Sequence, residues 1–279
     1  MYSTGHLIWI TVSFALIIGG YLAITIRKPS LEQVLKACLA VGVASEVTKV
    51  FSVTSILPVV TAEIVTTEAG SALTYVPIGK YSPYMKMEHL PLELCSLMIV
   101  FIIVALLLKN GIWRSRLLAL MYITGTIGGV MGILLPFIAT EYSSAVTFLL
   151  APRAWQYFLY HSMVVTMGLY LGFEYSGGVS LRFWKSTMLG LLLLDLPTFY
   201  LNSIFSQAAY VDGQPVGILY GTNFFSSYVN PLGLALAKKW QWLAYLGIRL
   251  ALATALITLM LWLPSLRQRL KAKAVGGAV

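Results

Sequence analysis

Charge is the scarcest ingredient of this 279-residue chain. Only 10% of its residues are Asp, Glu, Lys or Arg, where a soluble domain carries about a quarter. Acidic groups are fewest, ten against nineteen Lys and Arg, which leaves a formal net charge of +9. The basic residues form no stripe of the kind that tracks a phosphate backbone, so no nucleic-acid partner is expected. Cysteine is down to two and histidine to three. None of them has a spacing such as His-Glu-x-x-His or Cys-x-x-Cys that would gather the three or four ligands of a metal centre. No metal and no cofactor are expected.

Apolar residues fill the space that charge leaves: 58% of the chain is hydrophobic and the mean hydropathy is +0.82. A helix crossing a hydrocarbon core of ~30 Å needs ~20 largely apolar residues. Seven stretches qualify: 6–26, 31–56, 90–108, 117–139, 154–175, 183–205 and 240–263. The chain is therefore expected to be all-α, a single polytopic domain of seven transmembrane helices. The first stretch reads as a retained span, because its basic residues follow the apolar run instead of preceding it. Between spans, Arg27, Lys28, Lys109, Arg114, Arg116, Arg182, Lys185, Arg267, Arg269, Lys271 and Lys273 fall on one face, against Lys80, Lys86, Arg153, Lys238 and Lys239 on the other. That bias predicts an outer N-terminus and a cytoplasmic C-terminus. The two long outer segments, 57–89 and 206–239, are expected to fold over the outer face.

Cys38 and Cys95 fall at different depths on this topology, too far apart for the ~7 Å Cα separation that a disulfide tolerates. Cys38, among Ala and Val, reads as a small buried apolar residue. Cys95 follows His89-Leu90-Pro91-Leu92-Glu93-Leu94, and Pro91 suits a first helical turn. The thiol then sits near a helix N-terminus, where the macrodipole and nearby cations favour a nucleophilic thiolate. On the spacing alone, a buried cysteine packed on a neighbouring helix is the simpler reading.

Ionisable residues are costly in a span and mark cavities or functional paths. Glu46 and Lys49, three apart in the second span, share a face and can pair. His161 lies in the fifth span, Asp195 and Asn202 in the sixth and Arg249 in the seventh. With Cys95 they all fall in the outer half or near the midplane, as expected of a polar cavity open to the outer leaflet. The alternative is that Glu46–Lys49 and Asp195–Arg249 are ion pairs that only hold the bundle. Gly125, Gly128, Gly129 and Gly132 in the fourth span fit close helix packing better than phosphate binding.

Three short motifs carry a family resemblance. His89-Leu90-Pro91-Leu92-Glu93-Leu94-Cys95 resembles the L-P-L-x-L-C signature of the YwaF-type multi-pass membrane proteins. Phe158-Leu159-Tyr160-His161 resembles that family's aromatic, His-bearing fifth span. Gly221-Thr222-Asn223-Phe224-Phe225, followed by Asn230-Pro231, is similar to its G-x-N-Y stretch. Glu93 stands where the resemblance would place His, and Phe224 where it would place Tyr. The family is similar to a eukaryotic branch of cysteine-dependent acyltransferases that remodel ether phospholipids. The resemblance implies Cys95 as acyl-accepting nucleophile and His161 as its base.

The expected activity is that of a membrane lipid acyltransferase with a thioester on Cys95, acting on phospholipid or lysophospholipid in the outer leaflet of a cell membrane, bacterial by resemblance. His89, Glu93, Asn202, Asn223, Asp195, Glu46, Lys49 and Arg249 would line the polar cavity, and Asn202, Asn223 or backbone N–H groups would stabilise the oxyanion. The alternative is a transporter or channel that uses Glu46, Lys49, Asp195 and Arg249 as a charge path. A seven-helix receptor rests on span count and topology alone.

Overall fold

The computed structural model describes residues 3–67, 70–136, 144–175, 179–211, 214–220 and 238–276. The chain is mostly helical, and helices occupy all seven apolar stretches: α1 (Thr4–Arg27), α2 (Leu31–Val53), α3 (Leu94–Leu107), α4 (Ile112–Ile123) with α5 (Gly129–Leu134), α7 (Pro152–Leu169), α8 (Trp184–Ile204) and α9 (Lys239–Gly276). A short α6 (Ala145–Leu150) precedes α7. Among the described residues, four helical segments are long and apolar enough to cross a membrane: Thr4–Arg27, Ile112–Leu134, Leu181–Ile204 and Lys239–Leu270. The other three differ for physical reasons. α2 carries Glu32, Lys36, Glu46 and Lys49, and α7 carries Arg153, Gln156 and His161. At 1.5 Å per residue the fourteen residues of α3 rise only about 21 Å.

Local sequence explains the ends. Lys28 leaves α1 in the left-handed region (φ 46°), and its N–H bonds to the Ile24 carbonyl at 2.8 Å. Pro29 follows, and Ser30 starts α2 with a reciprocal capping box to Gln33. Two π-type turns occur, Thr124–Gly128 joining α4 to α5 and Tyr170–Glu174 ending α7. Each places small residues at a close crossing. A Cβ on Gly168 would come within 2.3 Å of Thr126 Oγ1, and one on Gly172 within 2.4 Å of the Tyr122 ring.

The expectation of a purely helical fold is corrected by two antiparallel hairpins. β1 (Ser55–Thr67) pairs with β2 (Gly70–Tyr84), and β3 (Gln207–Val211) with β4 (Gln214–Tyr220). The second apolar stretch thus ends as helix at Val53, and Ile56 already lies in β1. The first hairpin is rich in Val, Ile, Thr and Tyr, whose branched and aromatic side chains suit a pleated ribbon.

α7 is the central helix. On one side it closes a core with α2, α3 and α4, built on Leu35, Met98, Ile102, Met121, Tyr122, Val164 and Leu171. On the other it packs Phe158 and Val165 against Trp9, Ile17, Ile133 and Phe148 of α1, α5 and α6. Trp9 stacks parallel on Phe158 with centroids 5.0 Å apart. The periphery is apolar too: Ile26, Phe51 and Leu107 are each about four-fifths exposed. Apolar faces of that extent on several helices suit lipid as the surrounding solvent.

Candidate functional site around Cys95 and His161

The helix that carries Cys95 begins later than the sequence predicts. Leu92 N–H bonds back to the Leu90 carbonyl at 2.8 Å, so Pro91 lies in a turn before the helix and not within its first turn. Glu93, with extended backbone (φ −76°, ψ 152°), is the N-cap, and its carbonyl receives the first helical bond from Leu97 N–H at 3.0 Å. Cys95 is therefore the second residue of α3. Its own N–H and that of Ser96 lie close to its sulfur. Both belong to the first turn, where N–H groups have no acceptor within the helix. Lys49 and Glu93 both lie within Coulombic reach of the thiol. Cys95 is partly buried, Cys38 is buried, and both are free.

Tyr160 of α7 fixes this turn from across the bundle by donating its hydroxyl to the Cys95 carbonyl at 2.6 Å. His161, the next residue, is 4% exposed. Its Nδ1 lies 2.7 Å from the Tyr157 carbonyl. A carbonyl only accepts, so Nδ1 carries the hydrogen, and in the neutral ring Nε2 keeps its lone pair. Tyr157 covers one side of the ring, with centroids 4.1 Å apart, and donates its hydroxyl to the Gly132 carbonyl at 3.0 Å. A Cβ on Gly132 would fall 2.5 Å from Nε2, so only glycine fits beside the imidazole.

Cys95 and His161 meet the same segment of chain without touching each other. Leu94, next to Cys95, approaches Gly128, while His161 approaches Gly132, one turn or about 6 Å further along. No hydrogen bond joins the thiol to the imidazole among the described residues.

A polar layer surrounds the pair. Lys49 is buried and binds Glu46 at 2.5 Å. Gln156 Nε2 donates to Ser45 Oγ at 2.6 Å, linking α7 to α2, and Arg153 binds Gln156 and lies over the Tyr157 ring. His89 ends the short 3-10 turn Met87–His89 just before Pro91. The remaining expected residues lie elsewhere. Asp195 of α8 and Arg249 of α9 bind each other as a second ion pair. Asn202 is fully buried near the C-terminal end of α8, which packs on α4 and α9. Asn223 and the segment 221–231 lie outside the described residues. Arg153, Gln156, Tyr157, Tyr160 and Ser45 were not among the expected site residues. Their signal is periodicity: Arg153, Tyr157 and His161 recur every four residues on one face of α7, with Gln156 and Tyr160 beside them.

This fold, with several apolar helices and a thiol and an imidazole on neighbouring buried helices, is that of a multi-pass membrane protein. A sequence profile of the TMEM164 family matches residues 1–263, and the chain belongs to that family. No curated protein and no solved structure matches it.

Proposed function

We propose that the protein is an integral-membrane lipid acyltransferase that carries its acyl group as a thioester on Cys95. The observation that supports this most is the setting of the thiol at the second position of α3. The thiol lies in the first turn of α3, where N–H groups lack helical acceptors, Lys49 and Glu93, of opposite charge, are both within Coulombic reach, and an imidazole whose Nδ1 is held by the Tyr157 carbonyl stands one helix away. In the reaction, His161 Nε2 takes the thiol proton and the thiolate attacks the carbonyl carbon of a phospholipid ester. The N–H groups of the first turn stabilise the tetrahedral oxyanion. Collapse breaks the ester C–O bond, the departing lysophospholipid oxygen takes the proton from His161, and a thioester remains. A second lysolipid hydroxyl then gives its proton to His161 and attacks the thioester, which returns the thiol. Catalytic contacts of this kind are often loose before substrate binds. The resemblance to ether-phospholipid acyltransferases supports the same reading, with phospholipid and lysophospholipid as partners. Seven spans, an outer N-terminus and a cytoplasmic C-terminus in a bacterial plasma membrane complete it, with Cys95 on the outer side.

The test is a radiolabelled acyl phospholipid supplied to the protein in phosphatidylcholine vesicles. A hydroxylamine-sensitive label on wild type that is absent from Cys95→Ala and weakened in His161→Ala is expected. Full acyl exchange by Cys95→Ala would sink the proposal. Solute flux in the same vesicles that depended on Glu46, Lys49, Asp195 and Arg249 but not on Cys95 would favour the transport reading instead.

A further inference from the structure

α1 and α2 are joined by a tight turn, yet each packs on α7 and scarcely on the other. Between them, with α7 as floor, runs an apolar groove of about 670 Å³, within the range of small-molecule sites. Gly20, Ala23 and Ala37 keep it wide, and it reaches from Arg27 and Gln33 at the α1–α2 turn to Val41 and Leu159. Leu16 to Arg27 spans about 16 Å at 1.5 Å per residue, close to half of a ~30 Å hydrocarbon core. The groove is therefore as deep as one leaflet.

Its two ends differ in chemistry. At the turn, Arg27 lines the groove, is exposed, and has no ion-pair partner among the described residues. Lys28 follows it. Glu32, the nearest acid in sequence, is engaged with Lys36 at 3.8 Å. Gln33 uses its Oε1 to cap α2 through Ser30 N–H at 2.8 Å, which leaves its NH2 group to donate. Two cations and an amide at the mouth of an apolar slot suit a phosphodiester headgroup with a chain below it. At the far end the Ser45–Gln156 hydrogen bond crosses from α2 to α7 one turn beyond Val41 and separates the groove from the Cys95 layer. A second copy of the chain is a poorer occupant, because a two-fold pair in the membrane would bring Arg27 and Lys28 of both copies to the same end.

We propose that this groove is a binding site for an anionic phospholipid, one acyl chain lying between α1 and α2 against α7 and the phosphate held by Arg27 and Gln33. The site belongs to the leaflet at the α1–α2 turn, opposite the Cys95 end, and does not depend on the acyltransferase reading. The lipid fills the space that the two helices leave and takes the place of direct α1–α2 packing.

The experiment uses phosphatidylglycerol with a diazirine in its acyl chain. The full chain is reconstituted in phosphatidylcholine vesicles and photolysed, and adducts are mapped by mass spectrometry. Adducts should concentrate on 33–41 and 159–167, and should exceed those from the matching phosphatidylcholine probe by about fivefold, the factor one basic residue contributes toward an anionic lipid. Arg27→Gln should erase that preference and Arg27→Lys should keep it. Ala37→Trp, at an exposed position inside the groove, should remove the groove adducts, whereas Cys95→Ala should leave them unchanged. If Ala37→Trp fails to fold, the two Arg27 variants decide alone. Adducts spread evenly over exposed faces such as that of Phe51, or equal capture of the two probes, would each overturn the proposal.

Discussion

Gly132 lies so close to His161 that a methyl group on it would stand 2.3 Å from the ring Cδ2 and 2.5 Å from Nε2. The imidazole is held from the other sides by Tyr157, through its backbone carbonyl and its ring. It has nowhere to retreat. The glycine is thus what allows a histidine to be fully packed here.

Gly132→Ala is therefore expected to displace the imidazole, with the overpacking cost of about 1 to 3 kcal/mol typical of filled cores. Gly19, also in a helix, has nothing within 4 Å of its Cβ position. Gly19→Ala should be neutral or slightly stabilising. Thermal unfolding in detergent separates the two, and acylation of Cys95 should fall only in Gly132→Ala.

Tyr160→Phe removes one hydroxyl and the 2.6 Å bond to the Cys95 carbonyl. Interhelical hydrogen bonds in membranes average about 0.6 kcal/mol, so the fold should survive with a small loss. The first turn of α3 becomes less fixed, and the rate of Cys95 labelling by maleimide should rise. An unchanged labelling rate would show that the tyrosine does not position the thiol.

The parts of this site legible in the sequence were those that depend on residue type. Cys95, His161 and the Glu46–Lys49 pair stand out because polar groups are rare in apolar runs. Asp195 and Arg249 stand out for the same reason, yet they belong to α8 and α9, because depth along a span says nothing about which helices adjoin. The sequence does not fix the start of α3, because Pro91 suits either a first turn or the turn before it, and the Leu90–Leu92 bond selects the second. The roles of Tyr157 and Tyr160 were hidden, since an aromatic residue in an apolar helix reads as packing until its hydroxyl finds a carbonyl.

Lys49→Met leaves the Glu46 carboxylate without the ammonium that binds it at 2.5 Å in a largely buried setting. Removing one member of such a pair costs more than removing both. The double variant Glu46→Gln, Lys49→Met should therefore unfold at a higher temperature than Lys49→Met alone. Additive losses would mean that the pair is solvated and of little consequence. The proposed thioester adds a second readout, because loss of the cation near the sulfur should slow acylation in both variants.

Glu174 closes the opposite end of the bundle. It is the last residue of the π-type turn after α7, and Tyr21 of α1 donates to its Oε1 at 2.7 Å. Arg267 of α9 reaches the same oxygen at 3.1 Å and the Phe173 carbonyl at 2.6 Å. One carboxylate thus links three helices that are far apart in sequence. Glu174→Ala takes the acceptor from Tyr21 and the ion pair from Arg267, which keeps the Phe173 carbonyl, while Tyr21→Phe removes one donor and leaves the Arg267 pair intact. The loss of stability should follow that order: small for Tyr21→Phe, near the 0.6 kcal/mol typical of membrane hydrogen bonds, and larger for Glu174→Ala. Hydrogen exchange gives the spatial check. In Glu174→Ala the amides of α9 around Arg267 should lose protection before those of α3 and α7 around Cys95. Equal loss at both ends would mean that the bundle opens as one unit and that the triad does not anchor α9 separately.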